Sequence, residues 1–154
     1  GKGTFRFAPP EGIEFDNLSG KRGEYDPNRA YGQSKLANGL FSLELARRLG
    51  GTRATSNSVH PGIIRTNLGR HFPRWKKLMG ELIGWTFMKS IPAGAATQCY
   101  VATNTRIAGV SGRHFANCNP EIPGGRMEDA ALAAKLWAVS AELTRKWLGP
   151  GSGS

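Results

Sequence analysis

Tyr31-Gly-Gln-Ser-Lys35 sets a phenol and an ammonium four residues apart. On a helix, positions i and i+4 share a face, so the two polar heads can reach one bound ligand. A phenol titrates near ~10 in water, too high for efficient proton transfer at neutral pH. A neighbouring cation favours the phenolate, and this is how such a pair becomes an acid/base device. The same spacing is common on solvated helix faces, so the surroundings decide its meaning.

Those surroundings predict a helix. Tyr31-Gly-Gln-Ser-Lys-Leu-Ala-Asn38 leads into Leu40, Phe41, Leu43, Leu45, Ala46 and Leu49, a wide apolar stripe at helical period. Asp26 before Pro27 makes an N-cap and first-turn pair. Arg47 and Arg48 suit the negative end of the helix dipole, and Gly50-Gly51 closes the element. Further along stand Ser58-Val-His-Pro-Gly-Ile-Ile-Arg-Thr-Asn67 and Ser111-Gly-Arg-His-Phe115.

The Tyr-x-x-x-Lys helix, the Pro-Gly-x-x-x-Thr loop at Pro61 to Thr66 and the Ser111–Phe115 segment, in this order, resemble the short-chain dehydrogenase/reductase family. The branch they resemble holds the retinol dehydrogenases and the WW-domain oxidoreductase, and the likeness runs from about Phe7 to Leu148. It implies an α/β fold, the C-terminal part of a Rossmann-type doubly wound parallel sheet. It also implies reversible carbonyl–alcohol conversion with NAD(P)(H), NADP being favoured over NAD, on a small carbonyl or alcohol substrate. Tyr31 would be the general acid in reduction and the general base in oxidation. Lys35 would hold the nicotinamide ribose hydroxyls and lower the Tyr31 pKa by its charge. Pro61, Gly62, Ile63 and Ile64 would lie along the nicotinamide, and Thr66 would add a hydroxyl contact. The hydride belongs to the cofactor; the protein supplies position and proton traffic.

The sequence also departs from the family pattern. No Gly-x-x-x-Gly-x-Gly turn stands between a strand and a helix, where a member receives the pyrophosphate and selects NAD or NADP. In this branch the active-site Ser sits just before a segment like Arg6-Phe-Ala-Pro-Pro10, and Gly1, Lys2 and Gly3 occupy that place. The family's active-site Asn, from an earlier helix, has no counterpart, since Asn38 belongs to the Tyr31 helix. The expectation is a chain whose N-terminal dinucleotide-binding half is missing and which shows no turnover by itself. The alternative is a non-catalytic remnant or interaction module that uses a basic surface.

Residues 1–148 read as the C-terminal portion of one such domain, and 149–154, Gly-Pro-Gly-Ser-Gly-Ser, as a flexible tail. No apolar run is long enough to cross a bilayer or to act as a signal segment. Cys99 and Cys118 form no Cys-x-x-Cys pair, and there is no His-x-x-x-His pair. No metal site or disulfide framework is therefore expected, and a reducing cytoplasm is the default location. Strand, helix and strand alternation supports the α/β class: a loop over 5–17, the Tyr31 helix, a strand over 53–60 that the resemblance implies where Ser56, Asn57 and Ser58 give no apolar pattern, and a helix over 74–88. A helix started by Ser90 and Pro92 follows, then a short strand over 112–117 and a last helix over 129–148. Leu132, Leu136, Val139, Leu143 and Trp147 share one face of that last helix, which is expected to pack against the sheet rather than present a calmodulin-type target. His60 and His114 read as packing residues on strands, and His71 as a candidate for a substrate entrance.

Charge supplies the main competing idea. Lys plus Arg number 21 against 11 Asp plus Glu, a net +10. Arg65, Arg70, Arg74, Lys76 and Lys77 lie near Phe72 and Trp75, a mixture suited to nucleic-acid phosphates, an anionic membrane surface or a cofactor's phosphates. No nucleic-acid module accompanies them, so nucleic acid is not an expected partner. A peripheral membrane contact through 74–89 is weighed against the family's use of that region as a mobile lid. Gly80-x-x-x-Gly84 does not read as a membrane-helix contact, because Glu81 interrupts it. Finally, Leu40, Phe41 and Leu45 and a free edge of the 53–60 strand are expected to drive homo-oligomerisation or self-association.

Overall fold

The computed structural model describes residues 7–62, 64 and 89–147. Its helices and strands are α1 (Pro27–Arg48), β1 (Ser58–His60), α2 (Ile91–Thr103), β2 (His114–Ala116), β3 (Asn119–Glu121) and α3 (Ala130–Thr144). Short 3-10 turns occur at Phe15–Asn17, Thr105–Ile107, Gly125–Glu128 and Arg145–Trp147. These elements divide between two compact units. One draws on 59–108 and 114–121, the other on 2–58, 109–113 and 122–154.

The helical unit is built on α1. The Asp26 carboxylate accepts from the backbone N–H of Asn28 at 2.8 Å and of Arg29 at 3.3 Å, and Pro27 fills the first turn. At the far end the Leu49 N–H donates to the Leu45 carbonyl, and Gly51 turns the chain away with a φ of +83°. α3 starts in the same way, with Asp129 accepting from the Leu132 N–H at 2.9 Å. Ile13, Leu36, Leu40, Met127, Leu132, Ala133 and Leu136 form the core of this unit.

Two expectations change here. Leu40 is fully buried, because α3 supplies the partner that an isolated stripe lacks. The last helix packs on α1. Its expected apolar face is also covered only at its start: Leu132 and Leu136 are buried, while Leu143 and Trp147 are exposed beyond the reach of Ile13, Leu36 and Leu40. Phe41 is 46 % exposed but stacks on Trp137 with ring centroids 5.0 Å apart.

The other unit carries a three-stranded sheet in the order β1-β2-β3. The expected strand over 53–60 shrinks to Ser58–His60, although the backbone pairs at its start: Ser58 N–H donates to the Arg113 carbonyl at 3.0 Å and Gly112 N–H to the Ser56 carbonyl at 2.8 Å. Polar side chains add to this pairing. Ser56 N–H donates to Ser111 Oγ at 3.0 Å, Asn57 Nδ2 donates to the Val110 carbonyl at 2.7 Å, and Arg113 N–H donates to Asn57 Oδ1 at 3.0 Å. The sheet is not the wholly parallel one expected. β2 and β3 form an antiparallel hairpin pairing His114 with Glu121, Phe115 with Pro120 and Ala116 with Asn119. Its two-residue turn puts Asn117 at φ +52° and Cys118 at φ +59°, the left-handed geometry that matches the twist of a hairpin. β3 escaped the sequence reading because Asn-Pro-Glu has no strand pattern. Pro120, which cannot donate to a ladder, is confined to an outer strand. An isolated parallel bridge joins Ile64 and Lys89. α2 begins at Ser90, whose Oγ accepts from the Ala93 N–H at 3.3 Å, and Thr97 of α2 is buried, as are Phe115 and Ala116 of β2.

The expected helix over 74–88 lies outside the described residues. So do the lid and membrane readings attached to it, the basic cluster of Arg65, Arg70, Arg74, Lys76 and Lys77, His71, and Gly80 and Gly84. Among the described residues, no helix is long and apolar enough to cross a membrane.

Candidate functional site

Tyr31 and Lys35 stand on one solvent-facing side of α1. Tyr31 is 51 % exposed, Lys35 is exposed as well, and the ammonium lies 5.2 Å from the centroid of the phenol ring. Both polar heads are therefore open to a ligand. The residues between them fix the helix at this point. Ser34 Oγ donates to the Tyr31 carbonyl at 2.7 Å. Gly32 is buried under the incoming chain, so that a Cβ there would come within 2.5 Å of the Phe7 carbonyl carbon and the Ala8 nitrogen. The second letter of Tyr-Gly-Gln-Ser-Lys is thus a close-approach glycine, and it locks the 7–8 segment beside Tyr31.

Another side of α1 faces an open hollow of about 620 Å³, lined among others by Glu14, Asn17, Tyr25, Arg29, Gln33 and Leu136. Neither Tyr31 nor Lys35 lines it. Several of its polar groups are engaged: Arg29 pairs with Glu14 at 2.6 Å and Glu11 at 3.3 Å, and Gln33 Oε1 accepts from the Glu14 N–H at 2.8 Å.

Of the residues expected along the nicotinamide, Ile63 and Thr66 lie outside the described residues. Pro61, Gly62 and Ile64 belong to the sheet unit, whereas Tyr31 and Lys35 belong to the helical one. Gly62 has a φ of +84°. The Lys89 side chain runs past it, with Cδ and Cε 3.0 and 3.1 Å from where a Cβ would stand. Nothing in the spacing of Lys89 relates it to Gly62, so only the folded chain reveals the contact.

Glu44, His60 and His114 are perturbed by their surroundings. The Glu44 carboxylate is 2 % exposed on α1. It accepts from Arg47 Nε and Nη2 at 2.8 and 2.7 Å and from Arg48 Nε at 2.8 Å. Hydrogen bonding from Arg47 is the main cause that holds its pKa down at about 2, against the opposing effect of burial. Arg48 also lies over the Trp137 ring at 4.6 Å. His60 on β1 and His114 on β2 are half-buried, and desolvation pushes both imidazoles below their ordinary pKa. This agrees with their reading as packing residues. Among the described residues, no group of three His, Cys, Asp or Glu side chains could hold a metal ion, and Cys99 and Cys118 are free thiols.

No protein-family model matches this chain. Individual relatives do. Human retinol dehydrogenase 14 is 45 % identical over 130 residues, 83 % of this chain and 38 % of the relative. The chloroplastic short-chain dehydrogenase TIC 32 B of Brassica napus is 44 % identical over 135 residues, 86 % of this chain and 42 % of the relative. The WW domain-containing oxidoreductase of Gallus gallus is 39 % identical over 138 residues, 89 % of this chain and 33 % of the relative. The chain thus spans about two fifths of the length of the curated relatives it matches. A crystal structure of an uncharacterised protein from Mycobacterium paratuberculosis is similar with a TM-score of 0.64 and 28 % identity, over 90 % of this chain and 46 % of that one.

Proposed function

This chain belongs to the short-chain dehydrogenase/reductase family, and on that premise we propose that it carries the proton-transfer residues of an oxidoreductase interconverting a carbonyl and an alcohol. The observation that carries the reading is the exposed Tyr31–Lys35 face of α1, where a phenol and an ammonium 5.2 Å from its ring both open to solvent. This donor set suits a nicotinamide ribose: an ammonium can donate to neighbouring hydroxyls while the phenol remains free for the substrate oxygen. NAD or NADP, with NADP favoured, would supply the hydride when bound.

The chain's own residues handle the proton. In reduction Tyr31 Oη gives its proton to the carbonyl oxygen as negative charge develops there; in oxidation it takes the proton from the alcohol. Lys35 holds the ribose hydroxyls and so positions the cofactor beside Tyr31. Pro61, Gly62, Ile63, Ile64 and Thr66 are assigned to the nicotinamide side by resemblance to the family. Gly62 supports this, because a turn with φ +84° leaves backbone uncovered by any side chain of its own.

The sequence holds no glycine-rich turn for the pyrophosphate, so the chain by itself is expected to show no turnover. The test places the dinucleotide-binding segment of a homologous enzyme upstream of Gly1 and measures NADPH and NADH oxidation with aldehydes, ketones and retinoid-like substrates. Turnover that drops on the order of 10²–10⁴-fold with Tyr31→Phe is the expected result. Turnover indifferent to Tyr31→Phe removes Tyr31 from the mechanism. A folded fusion that binds cofactor and turns nothing over favours the second reading, a non-catalytic interaction module. Leu143 at the end of α3 and Trp147 in the turn after it are exposed, which supports that alternative.

A further inference from the structure

The turn at Pro61-Gly62 is held from outside by one side chain that its own sequence does not predict. Lys89 is fixed at its backbone twice over. It bridges Ile64 in parallel, and the next residue, Ser90, caps α2. From that anchored point its methylenes cross Gly62, with Cδ 3.0 Å and Cε 3.1 Å from the position a Cβ would take. Its Nζ then donates to Asn117 Oδ1 at 2.5 Å, in the tight turn between β2 and β3. Two residues on, the loop is gripped again. A Cβ on Gly94 of α2 would run into the Ile64 side chain, so that glycine makes room for it.

We propose that Lys89 is a positioning residue, a strut that sets the Pro61-Gly62 turn by packing its stem on Gly62 and tying its ammonium to Asn117. The proposal rests on the family reading of 61–64 as the nicotinamide loop for its catalytic meaning, but not for its structural content. A flexible lysine stem is a poor brace on its own, because an unanchored side chain of this length keeps most of its rotamer freedom. A charged donor on an amide oxygen restricts it, and charge-assisted hydrogen bonds are stronger than neutral ones. A side chain at position 62 would meet an unfavourable φ and the Lys89 methylenes together.

The structural test uses the full 154-residue chain, isotopically labelled, with backbone relaxation measured at Gly62 and Ile64. Lys89→Ala should lower their order parameters from the rigid range near 0.85 to below about 0.6 while amides of α1 and α3 stay rigid. Lys89→Met, which keeps the stem and loses the ammonium, should fall between. Asn117→Gly, which tolerates φ +52° and removes the acceptor, should match Lys89→Met, and combining the two should add nothing further. Lys89→Arg should restore rigidity by keeping a donor within reach of Asn117. Unchanged order parameters in Lys89→Ala overturn the strut, and so does a loss spread equally over α1 and α3. If Lys89→Ala does not fold, Asn117→Gly alone decides: no gain in mobility at Gly62 refutes the proposal.

In the fusion enzyme, Lys89→Ala should raise the KM for the nicotinamide cofactor about 10-fold with kcat changed less than about 3-fold, the pattern of lost binding rather than lost chemistry. A rigid turn lost without a change in KM leaves the strut standing and sinks the nicotinamide assignment of 61–64. A KM effect without a change in rigidity does the reverse.

Discussion

At the scale of single residues, Tyr31 and Lys35 do different work and should fail differently. In the fusion enzyme Lys35→Ala should weaken cofactor binding, read as a raised KM for the nicotinamide cofactor. Lys35→Arg should restore only part of it, because a planar fork does not replace a compact ammonium. An unchanged cofactor KM in the alanine variant would remove Lys35 from the ribose site. Glu44 makes a separate, structural prediction. Its folded pKa of about 2 lies below the ordinary 4.5, so its contribution to stability is fully present above about 4.5 and is lost as pH falls through about 2. Thermal melts from pH 6 to 2 should show a steeper loss for the native chain than for Glu44→Gln. At neutral pH that substitution should cost about 1–2 kcal/mol, toward the low side because both guanidiniums reach solvent. Equal slopes for the two proteins would show that the Glu44 carboxylate gains nothing from Arg47 and Arg48 on folding.

At the scale of elements, α1 contains two glycines that sequence reading cannot tell apart and that the fold separates. Gly32 lies under the backbone of Phe7 and Ala8, which cannot step aside without moving the segment. Gly39 lies under the terminal methyl of Met127, the far end of a flexible side chain. Gly32→Ala should therefore destabilise by about 1–3 kcal/mol, the usual cost of forcing extra volume into a packed site. Gly39→Ala should be near neutral, since a helix gains about 1 kcal/mol from Gly to Ala and Met127 can change rotamer. Denaturant midpoints of the two variants check the order; a costlier Gly39→Ala would contradict the contacts drawn here. Asp26, Ser90 and Asp129 illustrate the opposite case. Each is legible in the sequence as a cap or helix start, because the bond it makes is to a backbone N–H two or three residues away.

At the scale of the whole molecule, charge and exposed apolar surface compete. Phe41, Leu143 and Trp147 are exposed at 46, 59 and 76 %, while the chain carries a net +10. Self-repulsion should hold copies apart at low salt, and screening at physiological ionic strength should let apolar contacts win. Light scattering of the purified chain should therefore show association that rises with salt and with concentration. A salt-independent monomer with one sharp thermal transition would show that the described surfaces are self-sufficient.

What the sequence by itself determined was local or carried by motif. The span and ends of α1 follow from Asp26-Pro27 and the arginines before Gly50. The start of α2 follows from Ser90, and the Tyr31–Lys35 face from a four-residue spacing. These are set by hydrogen bonds and periodicities that run a few residues along the chain. Only the tertiary structure decided the rest. That Leu40 is buried depends on α3, almost a hundred positions later. Where Ser56 and Asn57 pair is set by Val110, Ser111 and Gly112, far along the chain. Gly62 depends on Lys89, and Lys89 on Asn117. In each case the deciding partner is distant in sequence, and a contact across that distance leaves no periodicity or spacing in a single chain by which it could be read.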